Sequence, residues 1–414
     1  MTRTSTRIST YLESEIARGA FPGAQYVIGE AGHIVFEAAL GHAVVEPERI
    51  AATLDTIYDL ASLTKPLVTA LLAVILDERG LWDLRAPAAD YLSELRQCKR
   101  RVTLTELLTH TSGLPNWRPL YLETAQPAAV PAYIAGLIDE VSGATMLPVV
   151  YSDLNYILLG AALERITGMK LDRLARQEII EPLALTRTAF NPPPEWKREI
   201  AATELGQSFE HANAACDAEN RGRADAEKDD AGTGGRGDAE KEEANDQRTI
   251  IPASPRPPVP ASPIRVPASY LWREGVIWGE VHDGNAHYFG GVAGHAGLFS
   301  TAREVFQIAS QSLRGSRLVS ERGLNWLTEN LTPGRLTARS IGWVLAATAD
   351  CSAGAALPPT AIGHNGFTGT SVWMDAEAQR VFVLLTNRVH PHIGPIDMKG
   401  VRQRFNTLAV EALG

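Results

Sequence analysis

The sequence predicts an α+β fold: an antiparallel sheet flanked by helices from the two ends of the chain, with an inserted, mainly helical domain. Two observations lead to this prediction. The chain opens with a helix followed by two strands and closes with strands followed by a helix, whereas its middle carries mainly helical patterns. We therefore expect residues 1–75 and 270–414 to form one discontinuous sheet domain, and residues 76–205 to form the inserted helical domain.

The opening elements are indicated by apolar spacing and a turn. Residues 5–18 predict a first helix, because apolar side chains recur at close to a four-residue spacing. Residues 25–28 and 34–36 predict the two strands of a β-hairpin, because both runs are apolar and a turn-forming stretch with Gly32 lies between them.

Helical signals dominate the middle of the chain. Residues 63–76 predict a buried helix, since the pattern is helical and almost wholly apolar. Thr103 and Glu106 have the spacing of a capping box, which indicates the start of a short helix. A longer helix is expected to bury Leu154 on its apolar face and to end at Gly168.

The C-terminal part returns to strands. Residues 342–345, 371–374 and 381–385 are apolar runs that predict strands. Residues 396–412 predict a closing amphipathic helix, because apolar side chains recur on one helical face. These elements are expected to join the opening hairpin in one sheet.

Residues 206–268 differ in composition from the rest of the chain. The first part is rich in Ala, Asp, Glu, Gly, Lys and Arg, and the last part is rich in proline. Such a segment cannot bury enough apolar surface to offset its chain entropy, so we predict a disordered acidic and Pro-rich insertion. A tolerated surface-loop insertion is the preferred interpretation, and a docking tail or regulatory arm is the alternative.

Composition excludes several classes of partner. The 414-residue chain has a formal net charge of −9, which disfavours both nucleic-acid and membrane-surface partners. No apolar run has the length of a signal peptide or a bilayer span, so a cytoplasmic location is expected. Cys98, Cys216 and Cys351 are too few and too scattered to predict a disulfide framework or a zinc site. We expect no cofactor, and the oligomeric state is unknown at this point.

The first chemical motif is Ser62-Leu63-Thr64-Lys65. Positions i and i+3 share one face of a helix, so the serine hydroxyl and the lysine amine can come within hydrogen-bond distance. Serine is a weak nucleophile until a neighbouring base takes its proton, and a lysine in an apolar helix is a plausible base. The spacing alone is common, and Ser62 could equally cap a helix. However, the apolar surroundings of Lys65 leave it no other obvious role.

Two further motifs follow in order along the chain. Tyr151-Ser152-Asp153 precedes the long middle helix, and His364-Asn365-Gly366 precedes a predicted strand. With Ser62 and Lys65, this order resembles the serine β-lactamase superfamily, closest to class C β-lactamases, DD-carboxypeptidases and related esterases. Three framework stretches are also similar to that superfamily: LTELLTHTSGLP at 104–115, EPLAL at 181–185 and GEVHDGNAHYFGGVAGHAGLFST at 279–301. The resemblance covers nearly all of the chain outside residues 206–267, and it implies a β-lactamase/transpeptidase-like fold.

The resemblance implies specific roles. Ser62 would attack a carbonyl and form an acyl-enzyme, while Lys65 and Tyr151 would share the roles of base and acid. The backbone N–H groups of Ser62 and Phe367 would form the oxyanion hole. The substrate-binding residues are expected to be Asp153, His364, Asn365 and Gly366.

Two positions depart from the superfamily pattern. Asp153 stands where class C β-lactamases carry asparagine, and an ionised carboxylate cannot donate to a substrate carbonyl. It would also favour the charged form of Lys65 and weaken it as a base. His364 replaces the commoner lysine and is mostly neutral at pH 7, which argues against a carboxylate-dependent substrate. Asn155, two residues beyond Asp153, is expected to be structural.

Histidines and glycines elsewhere invite other interpretations. His282, Asp283, His287 and His295 could ligate a metal, but they lie in the framework stretch and can serve backbone carbonyls, so we predict no metal site. His110 is likewise expected to be a buried hydrogen-bonding residue. The glycines between residues 290 and 297 lack the Lys-Ser/Thr of a phosphate-binding loop and indicate tight packing.

The leading functional hypothesis is an intracellular serine hydrolase that acts on a small ester or amide through a Ser62 acyl-enzyme. Three alternatives remain open. The protein could be a D-Ala-type peptidase or β-lactamase, it could transfer the acyl group to a small acceptor, or it could be a non-catalytic penicillin-binding-like sensor. Its substrate partner would be a small ester, amide or D-peptide.

Overall fold

The computed structural model describes residues 5–141, 147–207, 210 and 272–414. Within these residues, ten strands form two antiparallel sheets. The strands are β1 (Gly23–Glu30), β2 (His33–Val44), β3 (Ile50–Ala51), β4 (Tyr58–Asp59), β5 (Ala189–Phe190), β6 (Leu298–Ser300), β7 (Val344–Leu345), β8 (Ile362–Asn365), β9 (Ser371–Asp375) and β10 (Arg380–Thr386).

The larger sheet joins the two ends of the chain. Its seven strands run in the order β3-β2-β1-β10-β9-β8-β7, and every neighbouring pair is antiparallel. The central pairing is β1 with β10, in a register from Ala24 opposite Thr386 to Glu30 opposite Arg380. The predicted hairpin is therefore confirmed as β1 and β2, and the predicted antiparallel sheet is confirmed with it.

Helices account for most of the remaining described elements. The α-helices are α1 (Thr6–Ala17), α2 (Leu71–Glu78), α3 (Leu104–Leu108), α4 (Leu120–Glu123), α5 (Val130–Glu140), α6 (Asp153–Thr167), α7 (Leu171–Ala175), α8 (Gly284–Tyr288), α9 (Ala302–Ala309), α10 (Glu321–Thr328) and α11 (Met398–Leu413). Short 3₁₀ segments lie at Ala61–Leu63, Ala88–Asp90, Ser93–Gln97, Pro127–Ala129, Pro194–Glu199 and Ser310–Ser312, and π-helical segments at Lys65–Ala70 and Arg176–Ile180.

Each face of the larger sheet packs against helices. On one face, α1 and α11 bury Ile8 and Phe405 against the sheet residues Trp373 and Phe382. On the other face, α2 and α9 join the largest core cluster, which includes Val383 of β10. The prediction that helices from both ends of the chain flank the sheet is therefore confirmed. The capping box at the start of α3 and the glycine end of α6 are also present.

The predicted buried helix over 63–76 is more complex than a single α-helix. A 3₁₀ turn, Ala61–Leu63, leads into the π-helical segment Lys65–Ala70, and regular α-helix begins only at α2. Pro66, which lacks an N–H donor, lies at the start of the widened segment. π-helical turns occur frequently at functional sites, and this one carries Lys65.

A second, three-stranded sheet was not predicted. Its order is β4-β6-β5, so β5 from the middle of the chain pairs with β6 from the C-terminal part. Mainly helices were predicted over residues 76–205. A two-residue strand is too short to produce an alternating pattern, so its signal was missing from the sequence. β4 leads directly to Ser62, and this sheet therefore anchors the approach to that residue.

The predicted insertion over 206–268 lies almost entirely outside the described residues, so its disorder remains a prediction. Gly206, Gln207 and Glu210 are the exceptions. Gln207 and Glu210 are buried, and Glu210 Oε1 accepts a hydrogen bond from the Gly284 N–H at 2.6 Å. The packed structure thus extends past the predicted boundary at 206. In the described part of the chain, no helix has the length and apolar character needed to cross a bilayer.

Candidate active site

The turn that carries Ser62 is held by a buried carboxylate. Ala61, immediately before Ser62, has a φ of +46°, a conformation that residues other than glycine rarely adopt. The Ala61 N–H donates to Asp59 Oδ1 at 2.8 Å, and the His282 N–H donates to Asp59 Oδ2 at 2.7 Å. Asp59 is buried at the end of β4 and burial raises its pKa, while the two N–H donors favour its ionised form. This carboxylate thus fixes the strained turn that presents the partly exposed Ser62 hydroxyl.

Lys65 is fully buried, and its side-chain nitrogen contacts four oxygens, one of which is the Tyr151 hydroxyl. Nζ lies 2.9 Å from Ser62 Oγ, 3.0 Å from the backbone oxygen of His295 and 2.7 Å from Asp153 Oδ1. An ammonium group carries three protons, so it can donate to three of these oxygens at one time. The geometry is therefore that of a charged Lys65 donating to Ser62.

Opposing effects act on the pKa of Lys65. Burial is the largest single effect and lowers the pKa, whereas the negative charges of Asp153 and of an ionised Tyr151 raise it. The raising effects prevail, so the pKa of Lys65 lies above its ordinary value. Both effects on the pKa of Lys65 were expected from the sequence, and in the structure the negative charges outweigh burial. The lysine must lose a proton within this cluster before it can act as a base.

Tyr151 is the third member of the hydrogen-bonded group that contains Ser62 and Lys65. Its hydroxyl is hydrogen-bonded to both Ser62 and Lys65, and Lys65 Nζ lies 5.1 Å from the centroid of the tyrosine ring. Burial raises the pKa of Tyr151, and the positive charge of Lys65 opposes that rise without cancelling it. The structure thus brings the predicted nucleophile and its two predicted proton-transfer partners into one hydrogen-bonded group, in which the tyrosine is neutral at rest.

The loop that ends α3 positions Tyr151 and its neighbours. The Ser152 N–H donates to His110 Nδ1 at 3.0 Å, and the Asp153 N–H donates to the Asn116 carbonyl at 2.9 Å. Burial lowers the pKa of His110 well below its usual range, so the ring is neutral and its Nδ1 can accept. Asn155 is also buried and lies 3.3 Å from the same ring nitrogen. His110 and Asn155 are therefore structural residues, as predicted.

His364 and Asn365 occupy the end of β8, where successive side chains point to opposite faces of the sheet. The His364 ring lies 5.7 Å from the Tyr151 ring, and burial lowers the pKa of His364 well below its usual range. Asn365 Oδ1 instead accepts from the Ser352 hydroxyl at 3.0 Å, and that hydroxyl accepts from Trp373 on the α1/α11 side. His364 therefore lies beside Tyr151, whereas the Asn365 side chain contacts Ser352, and the substrate contacts of both residues stay predictions.

Close packing inside the protein leaves no room for a side chain at Gly366. A Cβ atom at this position would lie 2.1 Å from Thr370 Oγ1 and 2.5 Å from the Leu60 carbonyl oxygen. The sequence analysis attributed this glycine to close approach of the substrate. The structure adds a different reason, because the loop after β8 contacts the backbone that precedes Ser62.

Two arginines, the buried Arg402 and the partly buried Arg388, donate to the carbonyl groups of Gly366 and Phe367. Arg402 Nη2 donates to the Gly366 carbonyl at 3.0 Å, and Arg388 Nε donates to the Phe367 carbonyl at 2.7 Å. In a trans peptide, the N–H points away from the preceding carbonyl. Because Arg402 binds the Gly366 carbonyl, the Phe367 N–H of the same peptide points away from Arg402. This orientation is compatible with the predicted oxyanion hole. Burial lowers the pKa of Arg402 to about 9.

The glycine-rich framework stretch reaches Lys65 from the other side. Gly294 packs so tightly on α6 that a Cβ atom there would lie 2.1 Å from the Tyr156 carbonyl oxygen. This close approach brings the His295 carbonyl to Lys65. The His295 ring is buried, and its Nε2 lies 2.8 Å from Asp283 Oδ1. Gly294 is therefore a packing residue, as the sequence indicated.

One group of side chains among the described residues could supply ligands to a metal ion. Single ligand atoms of Asp153, Asp283 and His295 all lie within 4.8 Å of one another. However, the charged Lys65 nitrogen already lies 2.7 Å from Asp153 Oδ1. A divalent cation would have to displace this ammonium or be repelled by it, so the arrangement fits an internal cation better than a metal. Of the two other predicted alternative ligands, His282 lies 3.0 Å from Glu204 and His287 lies 3.6 Å from Glu280.

The sequence analysis missed two buried arginines near the site, Arg339 and Arg402. Arg402 had a detectable signal, because it falls on the face of α11 that buries Met398 and Phe405. Arg339 had none, because the segment before β7 has no regular pattern that predicts which side chains are buried.

Comparison with known proteins agrees with this geometry. The sequence model of the Beta-lactamase family matches residues 8–401. The chain belongs to the beta-lactamase family. Members of this family are serine hydrolases that act on small ester, amide or D-peptide substrates, and the resemblance stated from the sequence motifs is confirmed.

Individual relatives span most of this beta-lactamase family chain. A Salmonella agona protein named "Putative D-alanyl-D-alanine carboxypeptidase" is 27% identical over 427 aligned residues, covering 93% of this chain and 82% of the relative. A penicillin-binding protein homologue from Caulobacter crescentus has a TM-score of 0.66 at 18% identity and covers 100% of this chain and 99% of its own. EstCE1, described as a hydrolase with promiscuous acyltransferase activity, has a TM-score of 0.61 at 17% identity, with coverages of 98% and 97%. The two structural likenesses show the shared fold.

Proposed function

We propose that this protein hydrolyses a small ester or amide through an acyl-enzyme formed on Ser62. One observation carries the proposal: the Ser62 hydroxyl lies 2.9 Å from Lys65 Nζ and is hydrogen-bonded to Tyr151. A serine becomes nucleophilic when neighbouring groups can take its proton. A protein that only binds its ligand has no need of this arrangement, so the geometry favours an enzyme over a sensor.

The proposed reaction proceeds in two balanced steps. Ser62 Oγ attacks the carbonyl carbon while its proton passes to the Lys65–Tyr151 pair, and the carbonyl oxygen becomes an oxyanion held by the N–H groups of Ser62 and Phe367. The pair then protonates the leaving group as its bond to the carbonyl carbon breaks, which leaves an ester on Ser62. Water attacks this ester, gives a proton to the same pair, and releases the acid and the free hydroxyl.

The charge around Ser62 supports esters over β-lactams as substrates. The Asp153 carboxylate forms an ion pair with Lys65 at 2.7 Å, and it has no proton to donate to a substrate amide carbonyl. Esters have better leaving groups than amides and need less help from such a donor. A D-Ala-type peptidase is the second candidate, supported by the Salmonella agona relative and its name.

The proposal also covers the location of the protein, its cofactors and partners, and its domains. We place the protein in the cytoplasm, with no cofactor and with neither nucleic acid nor membrane as a partner. The formal net charge of −9 supports the last two statements. Residues 1–75 and 270–414 as a sheet domain, and 76–205 as a helical domain, also belong to the proposal, supported by the β1–β10 pairing.

A titration with a fluorophosphonate probe tests this function. We expect hydrolysis of p-nitrophenyl acetate or butyrate by the wild-type protein, and we expect one equivalent of the probe to abolish it as Ser62 becomes phosphonylated. A D-alanyl dipeptide and a β-lactam in the same assay would rank the two candidate functions. Ester hydrolysis that survives complete labelling would contradict the proposal.

Replacing Asp153 with asparagine is expected to move the ascending limb of the pH–rate profile to lower pH. The Asp153 charge raises the pKa of both Lys65 and Tyr151, so its loss lowers the pKa of whichever group accepts the Ser62 proton. A lower pKa means a larger deprotonated fraction at neutral pH, about tenfold for each pKa unit. We therefore expect kcat/KM for the ester to rise at pH 7, measured in a series from pH 6 to 10.

Asp350→Asn is the matched control for this experiment. The Asp350 side chain is 72% exposed and pairs with Lys399, outside the candidate site. Its replacement should leave the profile unchanged. An Asp153→Asn profile that coincides with the wild-type profile, or moves to higher pH, would show that the Asp153 charge does not control the proton acceptor.

A further inference from the structure

His282 contacts both segments that carry the predicted oxyanion donors. Its backbone N–H donates to Asp59 Oδ2 at 2.7 Å, and the other oxygen of that carboxylate holds the turn before Ser62. Its ring stacks on the Phe367 ring, with 5.6 Å between the ring centroids and an angle of 25° between the planes. One buried residue therefore touches the supports of both N–H groups that would receive the oxyanion.

A buried carboxylate fixes the His282 ring. Nε2 lies 3.0 Å from Glu204 Oε2, and the His282 and Glu204 side chains are only 5% and 1% exposed. Burial by itself lowers the pKa of His282, but the hydrogen bond and the negative charge of Glu204 outweigh it, with the charges of Glu210 and Asp59 acting in the same direction. These effects favour the charged imidazolium, and the hydrogen bond sets the direction of the ring.

The loop that carries Phe367 depends on contacts with other segments. It lies between two glycines, of which Gly369 has a φ of +110°, and glycine restricts the backbone less than any other residue. On the side of the C-terminal strands, the Arg388 guanidinium carbon lies 4.7 Å from the centroid of the Phe367 ring. The His282 ring adds a contact from the glycine-rich framework stretch. The position of Phe367 is thus set by side chains from two other segments.

Stability alone does not explain the pair of His282 and Glu204. Apolar side chains of similar size are often at least as stabilising as a buried ion pair, because both charges lose their hydration on burial. A positioning role explains why the pair is present next to Phe367. Misplacing a group at a reaction centre by about 1 Å can lower the rate about 10²-fold, so a ring held in one orientation has a direct effect on rate.

We propose that His282 is a positioning residue of the oxyanion hole: its ring, held by Glu204, keeps Phe367 aligned with the turn that carries Ser62. The inference rests on the proposed function, which supplies the oxyanion. In this role His282 needs no contact with the reacting atoms and exchanges no proton. Its effect falls on kcat more than on KM, because the oxyanion forms only after the ester has bound.

Two double variants test this role through ester hydrolysis. His282→Ala/Glu204→Gln removes the ring without leaving an unpaired buried charge, and we expect it to lower kcat for p-nitrophenyl butyrate about 10²-fold with little change in KM. His282→Phe/Glu204→Gln restores an aromatic ring, so its kcat should be at least about tenfold higher than that of the alanine variant. A phenylalanine variant as slow as the alanine variant would overturn the proposal.

The same stretch of chain offers a matched control. His287 and Glu280 form a more exposed histidine–glutamate pair, with 3.6 Å between Nδ1 and Oε2. His287→Ala/Glu280→Gln makes the same chemical change there and should retain the wild-type kcat. If His282→Ala/Glu204→Gln is as fast as this control, the proposal is wrong.

Inhibition by a ketone and its alcohol separates the oxyanion from binding and folding. Propyl trifluoromethyl ketone can react with Ser62: the Oγ–carbon bond forms, the carbonyl π bond breaks, and the serine proton passes to the Lys65–Tyr151 pair. The resulting hemiketal oxygen lies in the oxyanion hole, whereas the alcohol made by reducing the ketone forms no such adduct. We expect the preference for the ketone, measured as the ratio of the two inhibition constants, to fall about 10²-fold in His282→Ala/Glu204→Gln and to persist in the phenylalanine variant. An unchanged ratio in the alanine variant would refute the positioning role.

Phe367→Ala is an independent test that leaves the buried pair in place. It removes the other ring of the stack, keeps the backbone N–H, and affects a residue that is only partly buried. The ketone preference should fall in this variant too, and its loss should not add to that of His282→Ala/Glu204→Gln, because the two rings form one contact. An unchanged preference, or fully additive losses, would contradict the proposal. Failure of the proposed function has a separate signature, since the wild-type protein would then cleave no ester and show no hemiketal by fluorine NMR.

Discussion

Replacing Ser62 with alanine is expected to lower kcat for ester hydrolysis by at least about 10⁴-fold. The variant lacks the oxygen that attacks the carbonyl, so only binding and the oxyanion donors remain to assist water. Lys65 keeps its other oxygen neighbours, which include the His295 carbonyl and Asp153, so the fold should be preserved. Initial rates with p-nitrophenyl butyrate, together with the melting temperature, measure both effects.

Ser310→Ala provides the matched control for that variant. Ser310 follows α9 and donates to the Phe306 carbonyl at 2.7 Å, outside the candidate site. The same change of side chain there should leave the rate within about twofold of the wild-type value, because the replacement affects only a local hydrogen bond. A Ser62→Ala protein as active as Ser310→Ala would remove Ser62 from the mechanism.

Replacing Lys65 with methionine is expected to lower kcat by about 10³-fold. The ammonium donates to Ser62 and stabilises a Tyr151 phenolate, so its removal deprives the serine of both proton-transfer partners at once. Methionine fits the buried, apolar environment of the lysine stem. The loss should appear in kcat more than in KM, because the interaction matters most as the proton moves.

The double variant Lys65→Met/Asp153→Asn separates catalysis from stability. The single variant leaves the Asp153 carboxylate without its partner, which lies 2.7 Å away in the wild-type protein. Removing one member of a buried ion pair is destabilising, whereas removing both is close to neutral. We therefore expect the double variant to regain the melting temperature and to remain inactive. Recovery of activity in the double variant would contradict the assigned role of Lys65.

Much of the site could be predicted from the sequence because helical and strand geometry act over short distances. The contact that the i, i+3 spacing predicts between Ser62 and Lys65 is present in the structure, although a π-helical segment begins at Lys65. The hairpin of β1 and β2 and the capping box at α3 followed from local patterns alone. The family resemblance then supplied the order of the motifs that the fold brings together.

Contacts between distant segments could not be predicted in this way. The pairing of Asp283 with His295, the approach of the His295 carbonyl to Lys65, and the unpaired charge of Arg339 each depend on how separate segments pack. Asn365 shows the same limit. Its motif gave no indication of the contact with Ser352, which depends on the alternation of side chains along β8 and on how a distant loop packs.

The central claim is that Ser62 forms a covalent acyl-enzyme. Intact-mass analysis of the wild-type protein quenched during turnover of p-nitrophenyl butyrate, followed by peptide mapping, tests it most directly. The account predicts a single butyryl adduct on the peptide that contains Ser62, and no adduct in Ser62→Ala. An adduct on another residue, or sustained turnover with no covalent species when deacylation is slowed at low pH, would contradict it.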